Sequence, residues 1–147
     1  MALQSSNTML AGEAFALIRG NASGWKAQAQ NANASLAANS VDTNFIFRML
    51  DQLNSIISAL NTWKAIAGLD SYANGQGYIG TLSSDCTNTV NTAQTCIAWV
   101  VTNFPASGGF LQGYTLNADG SRTARTFTPT QTAGLQTNLT SFVATIS

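Results

Sequence analysis

Residues 46–67 read IFRMLDQLNSIISALNTWKAIA, in which Ile46, Met49, Leu53, Ile56, Leu60, Trp63 and Ala67 recur at steps of 3, 4, 3, 4, 3 and 4. That alternation keeps one face of an α-helix apolar for three heptads, and Leu50 and Ile57 widen the face. A strand, with a period of two, would scatter the same residues over both of its faces. The spacing predicts a long packing helix that ends near Gly68, with Ser40 as its N-cap and Asp42 in its first turn. Such a seam serves either an intramolecular bundle or a coiled coil between chains. The charge pairs that would flank and specify a coiled coil are missing, which favours the bundle.

A second stripe follows, formed by Leu82, Cys86, Val90, Ala93, Ile97, Val100 and Phe104 and stopped by Pro105. Its Thr- and Asn-rich portion, SSDCTNTVNTAQT, has low intrinsic helicity, so packing against the 46–67 helix has to hold it. The two stripes read as an antiparallel helical hairpin. Between them lies NGQGYIG, residues 74–80, which spells GxGxxG from Gly75 to Gly80. A dinucleotide loop needs a strand before it, a helix after it and an acidic residue about 20 positions on. Here a heptad helix precedes the glycines and Val100 occupies the distal position, so the stretch reads as a connector. In that reading Tyr78 and Ile79 pack inward, and replacing Gly75 and Gly77 with valine damages folding.

Upstream, Leu10, Ala14, Leu17 and Ile18 suggest a short helix from Thr8 to Arg19, ended by Gly20. After Gly24, Trp25, Ala29, Ala32 and Leu36 recur at helical spacing in a low-complexity Ala/Asn/Gln stretch. Downstream, FLQGYTL and SRTARTFT flank Asn117-Ala118-Asp119-Gly120, a turn sequence with glycine in the left-handed position, and predict a β-hairpin. Thr128-Pro129-Thr130-Gln131 then supplies a capping box with proline at the first helical position. Leu135, Leu139, Phe142 and Ile146 give the terminal helix one apolar face.

The expected fold is mainly α: an antiparallel helical bundle over 1–105, a β-hairpin arm over 106–128 and a C-terminal helix over 129–147, within one domain. At 147 residues the chain is long enough to bury a core without metals or disulfides. Cys86 and Cys96, ten residues apart, would sit roughly 15 Å apart along one helix, too far to bridge. They read as buried apolar side chains.

Charged residues make up 8% of the chain, against about a quarter in an average domain, while apolar residues stand at 45%. Six basic residues balance six acidic ones. That balance offers no basic stripe for phosphates, so no nucleic-acid partner is expected. No apolar run could span a bilayer, and the N-terminus lacks the pattern of a cleaved signal, so neither membrane insertion nor export is expected. There is no histidine, which removes the Ser-His-Asp and Cys-His arrangements and the usual zinc catalysts. The carboxylates Glu13, Asp42, Asp51, Asp70, Asp85 and Asp119 are scattered without metal-ligand spacing. No catalytic residue, cofactor, metal or small-molecule substrate is expected.

A charge-poor, Ala/Thr/Asn/Gln-rich helical hairpin followed by GYTLNADGSRTARTFTPTQTAGLQ, residues 113–136, resembles small virion structural proteins of tailed bacteriophages. The resemblance lies in composition and layout. It implies a non-enzymatic subunit present in several copies at the capsid, the head-to-tail junction or the tail and baseplate, assembled in the host cytoplasm. Its partners would be copies of itself and other structural proteins. Tyr114, Arg122, Arg125 and Phe127 on the arm, with Leu135, Leu139, Phe142 and Ile146 on the terminal helix, are the candidate interface. In that layout, truncation before Pro129 would abolish association and leave the hairpin folded. A secreted filament or secretion-system subunit, and a helical ligand-binding or enzymatic domain, are the alternatives.

Overall fold

The computed structural model describes residues 2–38, 43–104, 114–124 and 129–146. Five helices account for most of them: α1 Ala2–Ala37, α2 Thr43–Lys64, α3 Leu69–Gly75, α4 Leu82–Asn103 and α5 Pro129–Ile146. The heptad face of α2 is buried as its spacing requires, with Ile46, Met49, Leu53, Ile56 and Leu60 all inside. The helix ends at Lys64, however, and Ala67 lies beyond it and exposed. The stripe of α4 is buried too, but Cys96 takes the inward position while Ile97 stays half-buried at its edge.

Helix α1 packs on α2 and α5, and α4 packs on the same two helices. The four therefore form a ring in the order α1, α2, α4, α5. Ile18 to Trp25 share a cavity with Leu60 and Thr145, whereas Ala29 and Ala32 meet Met49 to Ile56 and Leu139. As α1 advances, α2 and α5 therefore retreat. The ring is an up-down-up-down four-helix bundle in which each helix runs antiparallel to both neighbours.

Three expectations are corrected by this arrangement. Gly20 does not end a helix: α1 is continuous through Gly20 and Gly24. Each glycine costs about 1 kcal/mol relative to alanine, but the buried run of Ala14, Ile18, Ala29 and Leu36 spans both and holds the helix together. Ile79 does not pack inward; it is 94% exposed while Tyr78 is half-buried. The third correction concerns the β-hairpin arm over 106–128.

Among the described residues no arm of that length is present, and they are mainly helical. Pairing is confined to β1 Tyr114–Leu116 and β2 Arg122–Ala124, three residues on each side of one turn. Local turn chemistry accounts for the sequence signal: Gly120 adopts φ 86°, its N–H donates to Asn117 O at 3.0 Å, and Asp119 accepts from the Ser121 N–H at 2.9 Å. A two-stranded ladder of that length has no stability of its own. Residues 105–113 and 125–128 lie outside the described residues.

The terminal helix begins at Pro129, as its proline predicts, and is part of the bundle. Gly134 lies so close to α4 that a Cβ there would come within 1.9 Å of the Trp99 ring. The same indole donates its Nε1–H to Gln131 O at 3.1 Å, and the Gln131 carboxamide donates to Asn103 O at 2.6 Å. The N-terminal turns of α5 are thereby fastened to the end of α4. Threonines on α4 satisfy themselves: Thr87, Thr89, Thr92 and Thr95 each donate to the carbonyl four residues back. A Thr-rich helix can in this way sit against a core without stranded hydroxyls.

Candidate functional site

A group of interacting polar side chains lies where the 74–80 connector meets α1 and the start of α4. Helix α4 begins after Thr81, whose own side chain makes no cap. Asp70 of α3 supplies one instead. Its Oδ1 accepts from the Ser83 N–H at 2.7 Å and its Oδ2 accepts from the Ser83 hydroxyl at 2.6 Å. A carboxylate at a helix N-terminus satisfies an orphan donor and complements the helix dipole. Helix α3 is thus tied directly to the start of α4 across the connector.

Tyr78 forms the second tie, because its hydroxyl donates to the Asp85 carboxylate in the first turn of α4. Arg19 of α1 lies over the Tyr78 ring, its guanidinium carbon 5.2 Å from the centroid, an attraction between cation and ring face. Asn74 closes the loop: with its NH2 turned inward, it donates to the carbonyl oxygens of Tyr78 at 3.0 Å and Gly80 at 2.9 Å. Gly77 and Gly80 supply the left-handed turns, at φ 89° and 98°. Gly75 does not; its backbone is helical and its Cβ position is open. Backbone strain on replacement is therefore expected at Gly77 and not at Gly75.

Beneath this cluster lies a cavity of about 40 Å³, lined by Ile18, Trp25, Leu60, Cys86, Thr89 and Ile146 among others. That volume accommodates a water or two and no cofactor. Burial pushes the Cys86 thiol up to about 11, helped by the Asp85 and Asp70 carboxylates. Burial, then the hydrogen bond to Asp85, pushes Tyr78 up to about 12. Cys96, buried deeper in the bundle, is pushed up to about 12 by desolvation. None of the three supplies an anionic nucleophile or base at neutral pH. Both cysteines are free thiols on one helix, as their spacing predicts. Among the described residues no three His, Cys, Asp or Glu side chains gather at metal-binding distance.

The candidate interface residues fall into two groups. Leu135, Leu139 and Phe142 are between 0% and 1% exposed within the chain's own core, and Ile146 packs at its edge beside the cavity. Their apolar face is satisfied internally, by α4 and α1. Tyr114 and Arg122 belong to the two short strands, with side chains outside the described residues; Arg125 and Phe127 lie outside them entirely.

Sequence reasoning missed Arg19, Asp70, Ser83 and Asp85. Asp85 in the first turn of a helix was a visible signal. The partnership of Asp70 and Ser83 was not, because thirteen residues and a turn separate them.

In comparisons with known proteins, no family model, no curated protein and no solved structure matches the chain. No described helix is long and apolar enough to cross a membrane.

Proposed function

We propose that the protein is a non-enzymatic structural subunit, present in several copies of a larger assembly, with a bacteriophage virion as the particular setting. The observation that carries this reading is the uncovered flank of α1. Leu10 and Leu17, one heptad apart and so on the same side of the helix, are 41% and 43% exposed. At 36 residues α1 is about 54 Å long, against about 33 Å for the 22-residue α2 and α4. Trp63, next to the end of α2, stacks on Trp25. Leu10 and Leu17 therefore lie past the end of α2, where α1 is accompanied by α3 through Phe15 and Tyr72.

A charge-poor polar surface supports the same reading, since few ions must be desolvated when copies pack together. Cys86 and Tyr78, both protonated at neutral pH, offer no ionised nucleophile or base, which favours a structural role over a catalytic one. Association would run through α1, because the C-terminal helix is committed to the core. Negative-stain electron microscopy of the purified protein at high concentration tests the proposal. Rings, shells or filaments of regular subunits are expected, and a field of isolated single bundles would contradict it.

A further inference from the structure

Asn74 and Gly75 form the one Asn-Gly pair in the chain. Glycine leaves its own amide nitrogen unshielded by a side chain, so the preceding carboxamide is open to attack by that nitrogen. Both residues are exposed, and a Cβ at Gly75 would meet nothing within 4 Å. Two features hold the reacting groups apart: Gly75 ends the seven-residue helix α3, and the Asn74 amide is engaged with Tyr78 O and Gly80 O. A helix that short does not sustain itself in water and frays at its ends. Each fraying event frees the Gly75 nitrogen and the Asn74 side chain together.

We propose that Asn74 is a site of spontaneous deamidation, and that the carboxylate so formed releases the connector between α3 and α4. The Gly75 backbone nitrogen, giving its proton to hydroxide, bonds to Asn74 Cγ. The bond from Cγ to the side-chain nitrogen breaks, and that nitrogen departs as ammonia, leaving a cyclic imide. Water then adds to either imide carbonyl and the ring C–N bond breaks, giving an aspartyl or an isoaspartyl linkage. One water is consumed and one ammonia released, with no change of oxidation state.

The product suits its surroundings badly. A carboxylate cannot donate, so it turns acceptor oxygens toward two carbonyls that Asn74 had satisfied. It also adds a negative charge four residues after Asp70, a repulsive spacing on a helix. Asp85 stands beside Gly80, whose carbonyl Asn74 holds, with its Oδ2 4.0 Å from the Cβ position of Gly80. Asp70 ties α3 to α4 and Asp85 ties Tyr78 to α4, so loss of the Asn74 bonds to Tyr78 O and Gly80 O loosens the segment between the two ties.

The full chain is held in mildly alkaline buffer, natively folded or in concentrated urea, and mapped by peptide mass spectrometry. Deamidation at residue 74 is expected in both samples, slower in the folded one, and its loss is expected in Gly75→Ala, which the open Cβ position allows to fold. The Asn74→Asp variant is expected to exchange its Ser83 and Asp85 backbone amides faster than wild type. An Asn74 that stays intact in the folded protein while the denatured chain converts would overturn the proposal. So would an Asn74→Asp variant that exchanges those amides as slowly as wild type.

Discussion

At the residue scale, Gly134 is the described glycine whose added Cβ would meet its neighbours most closely. Alanine there must displace the Trp99 ring, which is also held by its hydrogen bond to Gln131. Overpacking of this kind costs about 1–3 kcal/mol, so Gly134→Ala should lower the thermal midpoint clearly, with an unchanged midpoint counting against the packing described. Alkaline titration gives a second expectation. The folded pKa of Cys86, Cys96 and Tyr78 lies above the ordinary value, so their protonated forms favour the folded state. Their stabilisation is complete below about 9 and is lost as pH rises toward about 11 to 12. Unfolding monitored by circular dichroism should steepen in that window, and the thiols should resist alkylation until it occurs. Burial of the two cysteines was legible from helical spacing. The role of Gly134 was not, because a glycine inside an amphipathic helix looks the same whether it is tolerated or required.

At the element scale, the sequence pattern read best where apolar residues were dense. The stripes of α2, α4 and α5 are buried along most of their length, with Ala67 exposed and Trp63, Ile97 and Ile146 at the edge. Helix α1 was harder, because two glycines in an alanine-rich run give a weak local signal that burial across both then overrides. Thr and aromatic content suggested an arm, whereas among the described residues only the turn around Asn117 and Gly120 and the three-residue pairing that flanks it have a structural counterpart. The burial of Leu135, Leu139 and Phe142 also changes what truncation does. Removing residues 129–147 exposes the facing sides of α1 and α4, so the chain should lose cooperative unfolding altogether. A truncated bundle that still melts cooperatively would show that α5 is dispensable. In the connector, Gly77→Val should destabilise because φ 89° is strained for any branched residue, while Gly75→Ala should be tolerated.

At the scale of the whole molecule, an antiparallel four-helix bundle carries a long first helix whose N-terminal flank remains uncovered. The bundle could be inferred from periodicity, because each long helix needs a neighbour for its apolar face. The uncovered flank could not, since Leu10 and Leu17 look like core residues until the ends of α2 and α5 are placed. Replacing both with serine should leave the fold intact, because substitutions at such exposed positions usually shift stability by no more than about 0.5 kcal/mol. The most direct test of the assembly reading is light scattering during size-exclusion chromatography of the full chain over a wide range of loading concentrations. A mass that rises to a multiple of 15.4 kDa, and falls back in the Leu10→Ser, Leu17→Ser double variant, is the predicted result. A wild-type mass fixed at one chain across the whole range would contradict it.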